Sequence, residues 1–245
     1  AISEKLANLF KNLPLTLSLS PEGRGRGEGA WEVSLMKNEE SINIVVEALS
    51  RGQKALSEYE AKQFLSSFGI PVCREGVASN VDSAVAQAVK IGFPVVLKAS
   101  GLNLYHKTEV CGVSLNLGCE EEVRREGGRL LKIPGCEALL VQEMVKGDRE
   151  LVCGLTRGGE FGPCVMFGLG GVLTEVNKDV IFRMAPLTLR EGREMIQQIQ
   201  SRKIIEPFRG QAAVNIEALS KILLSLGEIG LQHEDVFEID INPLK

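Results

Sequence analysis

The sequence predicts a protein of mixed α and β structure in which strands and helices do not alternate regularly. Some stretches repeat apolar residues at helical spacing, and others are short apolar runs rich in β-branched residues. In chain order they predict helices, a β–α–β unit, a strand, a helix, a strand meander, two helices and a final strand. A doubly wound dinucleotide-binding fold is disfavoured because it requires repeated β–α–β units.

Size and composition are those of a globular protein with a sizeable core. The chain has 245 residues, 44% hydrophobic and 24% charged, which is enough for one large or two small domains. A net charge of −4, one Trp and two Tyr leave neither a basic field nor a stacking surface, so we expect no nucleic-acid partner. The longest apolar runs have strand length, so we expect no membrane partner either.

The cysteine pattern predicts reduced thiols in a cytoplasmic protein. There is no CxxC pair and no histidine at ligand spacing, which disfavours a zinc site. The six cysteines are scattered, and most stand in apolar runs, where cysteine acts as a small hydrophobic residue: Cys73, Cys111, Cys119, Cys136, Cys153 and Cys164.

Residues 1–35 differ in composition from the rest of the chain. The stretch LPLTLSLSPEGRGRGEG is repetitive, shows no periodicity that could bury a face, and lacks the features of a secretory signal. It is similar to a translated intergenic repeat, which would make Met36 the natural first residue. We expect a disordered or loosely packed tail, followed by a folded domain over residues 36–245.

Three helices are predicted before the central strands. Apolar residues recur at helical spacing over residues 39–50. The next helix begins at a capping box formed by Ser57 and Glu60 and ends at Gly69, and the third spans residues 80–91.

Residues 91–117 predict a strand, a polar loop and a second strand. The first strand ends at Lys98, and a lysine in that position is costly to desolvate unless it faces an anion. The loop carries His106 and Lys107, so the anion would be a phosphate. For these residues alone, a solvated loop is the competing interpretation.

The remaining elements are strands and helices in irregular order, beginning with a charged surface helix. We predict a helix over 120–131, strands over 138–145, 150–155, 162–167 and 172–182, helices over 188–200 and 216–226, and a strand over 236–241. The run Gly168–Gly171 is a poor match to GxGxxG, and it indicates either a tight turn or a backbone cradle for phosphate.

The last strand predicts a cation site. Side chains alternate along a strand, so Glu238, Asp240 and Asn242 share one face. Oxygen ligands of this kind suit Mg²⁺, which binds one or two carboxylates and completes its shell with substrate phosphates. The competing interpretation is an exposed polar face on a half-buried edge strand.

Taken together, these motifs resemble those of ATP-grasp domains. PVVLK, HKTEVCGV, VQEMV, FGPCVMFGLGG, TEVNKDVIFRMAPL, FRG and EIDINPL occur in the order and spacing of the nucleotide-binding β subunit of ADP-forming acyl-CoA (acetyl-CoA) synthetases, relatives of succinyl-CoA synthetase. The resemblance extends from Leu56 to the last residue. It implies a mixed α/β ATP-grasp fold of two lobes, about 70–142 and about 143–245, with a nucleotide cleft between them and helices 39–68 packed on the lobes.

The resemblance also implies roles for single residues. Lys98 and Lys107 would contact phosphate, Glu143 and Val145 would form the hinge that receives adenine, and Glu150 would reach toward the nucleotide. Further candidates are Gly170 and Gly171 for the nucleotide, Asp240 and Asn242 for Mg²⁺ with Glu238 as an additional ligand, and Arg183 and Arg209 as phosphate or interface contacts. His233 is interpreted as a surface residue.

The implied reaction is acyl-CoA + ADP + phosphate ⇌ carboxylic acid + CoA + ATP. His106 would accept a phosphoryl group from a phosphohistidine of a CoA-binding α subunit and pass it to ADP, with ATP/ADP and Mg²⁺ as cofactors. A neutral imidazole nitrogen is a suitable nucleophile near neutral pH. The chain has no CoA-binding Rossmann domain, so we expect an acetate–CoA ligase (ADP-forming) that acts only with its α subunit, in a heterotetramer.

Two alternatives remain open. A non-catalytic ATP-grasp nucleotide-binding or scaffold subunit would keep the fold without turnover, and an ATP-grasp ligase of another substrate class would have no use for the His-Lys-Thr loop. The family continues past INPL into a further strand that supplies another Mg²⁺ ligand. We therefore expect a C-terminally truncated domain whose last strand has an open edge and whose metal site lacks one carboxylate.

Overall fold

The computed structural model describes residues 16–19, 39–101, 111–147, 149–158, 161–170, 179–207 and 210–245. The chain divides into two compact units: unit 1 consists of Ala1–Ile70 and Gly147–Lys245, and unit 2 of Pro71–Lys146. Each unit contains one antiparallel sheet, so the predicted mixed α and β class is confirmed. No helix in the described ranges is long and apolar enough to cross a membrane.

Unit 2 is a four-stranded sheet with two helices. The sheet order is β2-β5-β3-β4. The elements are β2 (Glu75–Ala78), α3 (Val81–Ile91), β3 (Val95–Ser100), β4 (Val113–Leu117), α4 (Glu120–Leu130) and β5 (Ala138–Glu143).

The core of unit 2 lies between its helices and one face of its sheet. Leu97 on β3 and Val141 on β5 are fully buried together with Val85 and Ala88 of α3 and Val123 of α4. Helix α3 begins at Asn80, whose side chain accepts a hydrogen bond from the Ser83 N–H (2.9 Å), which satisfies a free amide of the first turn. The opposite face of the sheet is not part of this core.

Unit 1 contains the larger sheet and the longest helix. Its sheet order is β1-β9-β6-β7-β8. The elements are β1 (Thr16–Leu19), α1 (Glu39–Ser50), α2 (Glu58–Ser67), β6 (Leu151–Arg157), β7 (Pro163–Leu169), β8 (Val180–Met184), α5 (Leu189–Gln198), α6 (Ile216–Gln232) and β9 (Val236–Leu244).

Helix α6 is longer than predicted because its glycines serve the packing on the sheet. The predicted helix stopped at Leu226, before Gly227, whereas α6 continues to Gln232. A Cβ atom on Gly230 would lie 2.6 Å from Pro163 Cβ and 2.9 Å from Leu155 Cδ1. The helix therefore approaches β6 and β7 more closely than a side chain at this position would permit.

Several predicted strands have different ends in the structure, and two of them bear on the site. The strand predicted over 172–182 corresponds to β8, which begins at Val180; residues 171–178 lie outside the described ranges. Asp179 is a buried anchor that precedes β8, and its carboxylate accepts the N–H groups of Gln200 and Ser201 at 2.7 Å each. The strand predicted to end at Lys98 continues to Ser100.

Within the stretch expected to be a disordered or loosely packed tail, Thr16–Leu19 forms β1, which pairs antiparallel with β9. Because β9 also pairs with β6, the expectation that the last strand has an open edge is wrong for this part of β9. A strand edge offers unpaired N–H and C=O groups to any extended segment, so weak periodicity does not prevent pairing. The rest of residues 1–35 lies outside the described residues.

The interpretation of His233 as a surface residue is also wrong. Its side chain is buried at the end of α6, with its ring centroid 5.2 Å from Phe64 and 5.6 Å from Phe68. Its Nε2 lies 3.2 Å from Ser41 Oγ. The polar neighbours Glu234 and Asp235 suggested a loop, but the aromatic residues of α2, distant in sequence, cover the ring.

Candidate functional site

Lys98 lies on the face of the unit 2 sheet opposite the helices. Its neighbours Leu97 and Ala99 point into the helix-side core, so alternation turns Lys98 to the other face, where it is half-buried. In the strand register it is opposite Leu140 on β5 and Val113 on β4. Because β3 is an inner strand, the Lys98 ammonium group lies over the sheet and not at its edge.

A second polar group occupies the same face. Gln142 is buried on β5, and its Nε2 donates a hydrogen bond to Glu75 Oε2 on β2 (2.6 Å). Because Gln142 is opposite Val96, two positions from Lys98, all three polar residues belong to the face without helices. This face therefore carries polar side chains from three strands of the unit 2 sheet, Lys98 on β3, Gln142 on β5 and Glu75 on β2.

Glu143 makes a structural ion pair. Its two carboxylate oxygens accept the Arg74 N–H and Nε–H, each at 2.8 Å, and its own N–H donates to Arg74 O at 2.9 Å. The hydrogen bond from the Arg74 backbone is the main reason why the pKa of Glu143 lies below its ordinary value. The side chain is therefore occupied, and only backbone groups of this stretch remain for a ligand.

Val145 follows β5 and stands just before the boundary of unit 2 at Lys146. Its side chain is 41% exposed, as several other valines among the described residues also are. Exposure alone therefore does not distinguish Val145 as a ligand contact.

Glu150 and Gly170 lie together at one end of the unit 1 sheet. The Gly170 N–H donates to Glu150 O at 2.8 Å, and Lys245 Nζ lies 3.4 Å from Glu150 Oε1. A Cβ on Gly170 would lie 2.7 Å from Leu151 C and O. A Cβ on Gly168 would be 2.4 Å from Asp179 O, so close backbone contact accounts for both glycines.

Asp240 is the most unusual carboxylate among the described residues. It is 4% exposed, and its Oδ1 is buried without a hydrogen-bond partner in the described part of the chain. Burial, with a smaller contribution from the charge of Glu238, raises the pKa of Asp240 to about 7. Burial also raises the pKa of Glu238. Two desolvated carboxylates side by side indicate a place for a positive charge.

The residues of β9 fit a magnesium ion. Glu238, Asp240 and Asn242 occupy alternate positions of the strand, and Asp240 Oδ1 is buried without a donor among the described residues. No group of three His, Cys, Asp or Glu side chains among the described residues could hold a metal ion. Mg²⁺ does not require such a group, because it takes one or two carboxylates and leaves positions for phosphate and water.

A polar network at the start of β4 was not found from the sequence. Arg129 donates to Glu126 Oε2, Ser114 Oγ and Cys111 O, each at 2.9 Å. Hydrogen bonds from Arg129, Ser114 and Arg125 lower the pKa of Glu126 to about 2. The Glu126–Arg129 spacing of three residues on a helix is a sequence signal for the pair, but the contact with Cys111 depends on the fold.

The predicted site residues are distributed over both units. Lys98, Glu143 and Val145 belong to unit 2, and Glu150, Gly170, Glu238, Asp240 and Asn242 belong to unit 1. His106, Lys107, Gly171 and Arg209 lie outside the described residues. Arg183 makes local contacts with Gln198 Oε1 (3.3 Å) and Glu194 Oε2 (3.7 Å). That the candidates serve one nucleotide stays a prediction.

Comparison with known proteins finds ADP-forming acetate–CoA ligases among the similar sequences. A family model described as an ATP-grasp domain matches residues 47–245. The chain is 38% identical over 208 residues to the β subunit of acetate–CoA ligase (ADP-forming) I of Pyrococcus furiosus, covering 82% of this chain and 89% of that subunit. It is also 38% identical over 217 residues to acetate–CoA ligase (ADP-forming) I of Archaeoglobus fulgidus, covering 86% of this chain but only 31% of that longer protein.

Solved structures give a concordant result. The acetyl-coenzyme A synthetase 1 of Ca. Korarchaeum cryptofilum, in complex with coenzyme A and Ca-AMPCP, superimposes with a TM-score of 0.79 at 43% identity. The superposition covers 83% of this chain and 92% of that chain. Another structure of that enzyme contains Mg-AMPPCP, with a phosphohistidine segment pointing towards the nucleotide binding site.

Proposed function

The chain belongs to the ATP-grasp domain family, and from this premise we propose that it is the nucleotide-handling β subunit of an ADP-forming acyl-CoA synthetase. It acts as an acid–thiol ligase together with a partner, in the reaction acyl-CoA + ADP + phosphate ⇌ carboxylic acid + CoA + ATP. The support that carries the proposal is the likeness to the P. furiosus β subunit over 89% of that subunit's length.

Residues of both units contribute to nucleotide binding in this proposal. The Lys98 ammonium on β3 contacts phosphate oxygens, and backbone groups of the Glu143–Val145 stretch receive the adenine, since the Glu143 carboxylate is held by Arg74. Lys107, Glu150, Gly170 and Gly171 are the further nucleotide contacts.

The carboxylates of β9 hold the metal. Asp240 and Asn242, with Glu238 as an additional ligand, bind Mg²⁺, which would neutralise charge on the phosphate oxygens. The buried Asp240 oxygen, for which the described part of the chain offers no donor, supports this assignment, because a cation offsets the cost of its desolvation.

The phosphoryl group passes through His106. A neutral imidazole nitrogen attacks the phosphorus of the partner's phosphohistidine, so one P–N bond forms as another breaks. A terminal oxygen of ADP then attacks the same phosphorus, forming the P–O bond of ATP and releasing neutral His106. Lys98 and Lys107 stabilise negative charge on the phosphoryl oxygens during both transfers.

The acyl and CoA chemistry belongs to a second polypeptide. This chain spans about a third of the A. fulgidus protein that it matches. We assign the CoA-binding steps to an α subunit that joins it in a heterotetramer. All six cysteines are free, in keeping with a reducing compartment, and we assign the complex to the cytoplasm.

Calorimetric titration of the chain with Mg·ADP tests the nucleotide assignment. We expect binding by the wild type, at least tenfold weaker binding by Lys98→Met, and unchanged binding by the control Lys54→Met, whose side chain is exposed on unit 1. His106→Asn should bind ADP normally yet fail to form ATP when the α subunit is present. Absence of ADP binding to the wild type, or equal binding by Lys98→Met, would refute the assignment.

A further inference from the structure

The outer edge of β9 is occupied by a segment from the other end of the chain. Strand β9 pairs with β6 on one side and with β1 on the other. In the register of the second pair, Thr16 is opposite Asp240, Leu17 opposite Ile239 and Ser18 opposite Glu238. Without β1, this edge would present unpaired N–H and C=O groups to any extended chain.

The segment has the properties of a short edge strand. Thr16–Leu19 alternates hydroxyl and leucine side chains and has no charge. Prolines stand at positions 14 and 21, and proline cannot donate to a ladder, so the sequence limits the pairing to a few residues. The register of β1 on β9 is already irregular between Ser18 and Leu19.

We propose that the edge of β9 is a strand-accepting site, and that the chain fills it with its own Thr16–Leu19 segment. Backbone hydrogen bonds supply most of the affinity in strand addition, so an exchangeable occupant is held without a dedicated pocket. Because β1 and β9 belong to the same chain, their pairing is intramolecular and needs no partner at high concentration. Helix α2 also lies next to β1 and gives the segment a second neighbour.

The occupied edge sets the position of the carboxylates on β9. Glu238 and Asp240 lie at the positions opposite Ser18 and Thr16, and Asp240 is also opposite Gly154 of β6. Paired on both sides, this part of β9 keeps its register; paired with β6 alone, it would be an edge strand free to fray. Thr16–Leu19 is thus a positioning segment for the predicted cation ligands, although the strand-accepting site itself does not depend on the proposed function.

Amide hydrogen exchange followed by NMR tests the pairing in the full chain. Successive amides of an inner antiparallel strand point to opposite neighbours, so alternate amides of residues 237–241 face β1. In Leu17→Pro/Ser18→Pro we expect this set to exchange at least about tenfold faster, while the set facing β6 stays within about twofold of the wild type. The control Gly25→Pro/Arg26→Pro, outside β1, should change neither set.

Two results would overturn the proposal: unchanged protection of every β9 amide in the Leu17→Pro/Ser18→Pro chain, or equal acceleration of both sets. If that variant does not fold, exchange of the wild-type chain in low urea decides the question. The amides facing β1 must then open at lower urea than those facing β6, and simultaneous opening would refute a separable edge strand.

A peptide tests whether the site accepts a strand in trans. Added at about 2 mM to the Leu17→Pro/Ser18→Pro chain, a synthetic peptide of residues 13–20 should restore slow exchange of the same alternate amides. The peptide with proline at positions 17 and 18 should not. Failure of the wild-type peptide to restore protection would contradict a strand-accepting site.

Discussion

Asp240 and Glu143 are both carboxylates predicted to serve the nucleotide site, and their surroundings differ. Glu143 receives two N–H groups from Arg74, whereas Asp240 has a buried oxygen with no donor in the described ranges and a second carboxylate beside it. The alternation of β9 predicts that Asp240 shares a face with Glu238. It does not predict Arg74 as the partner of Glu143, because that contact joins residues 69 positions apart.

Replacing Asp240 with asparagine should raise the stability of the metal-free chain and abolish its stabilisation by Mg·ADP. In metal-free buffer at pH 8 we expect Asp240→Asn to raise the free energy of unfolding by about 1–2 kcal/mol, because it removes a desolvated negative charge. With Mg·ADP present, the wild type should gain stability and the variant should not. Thermal unfolding with and without Mg·ADP measures both effects.

The matched control is Glu228→Gln, an exposed carboxylate on α6 of the same unit. It should leave both the metal-free stability and the Mg·ADP response at wild-type values. Equal stabilisation of the wild type and Asp240→Asn by Mg·ADP would show that Asp240 does not bind the cation.

At the scale of elements, the prediction agrees with the structure where the residues of a helix or strand themselves determine its limits. The capping box of Ser57 and Glu60, predicted from spacing alone, is present, with hydrogen bonds in both directions. The sequence misplaces elements whose limits depend on distant neighbours. Helix α6 continues through Gly227 and packs Gly230 closely on β6 and β7, and β1 forms where it can pair with the outer edge of β9.

The close packing around Gly170, which follows β7, leads to a prediction about stability. In Gly170→Ala the new Cβ would meet backbone atoms of Leu151 at 2.7 Å, and backbone cannot move aside cheaply. We expect a loss of about 2–4 kcal/mol in the free energy of unfolding, measured by urea titration. Gly128→Ala on α4 meets nothing within 4 Å and should instead gain about 0.5–1 kcal/mol. Equal effects would contradict this account of Gly170.

The network of Glu126 predicts an acid-sensitive contribution to stability. Its pKa is about 2 in the folded chain and 4.5 in the reference state. A lowered folded-state pKa stabilises the protein above pH 4.5, and this contribution is lost as the pH falls toward 2. The stability difference between wild type and Glu126→Gln should therefore shrink by about 1 kcal/mol from pH 5 to pH 3, a value reduced for solvent screening.

Urea unfolding at the two pH values measures this difference. Glu228→Gln is again the control, and its difference from the wild type should be the same at pH 5 and pH 3. A pH-independent difference for Glu126→Gln would show that Arg129 and Ser114 do not hold the ionised carboxylate.

At the scale of the whole molecule, the order of motifs along the sequence predicts the family, and residues 47–245 match its model. Single motifs do not carry this conclusion: close packing explains Gly168 and Gly170, and the residues from Lys98 to Lys107 alone also allow a solvated loop. Their order is informative because one reaction needs phosphate contacts, a nucleophile and cation ligands in the same protein. Partners distant in sequence, such as β1 for β9, could not be predicted because nothing in either segment specifies the other.

The most direct test of the proposed function is detection of phosphohistidine at His106. The chain is incubated with its α subunit, acetyl-CoA and labelled phosphate, without ADP, and acid-labile label is located by mass spectrometry of the intact peptides. We expect label on His106 that is discharged to ATP when Mg·ADP is added, and none on that peptide in His106→Asn. Label confined to the α subunit, with ATP formed normally by His106→Asn, would contradict the phosphoryl relay through this chain.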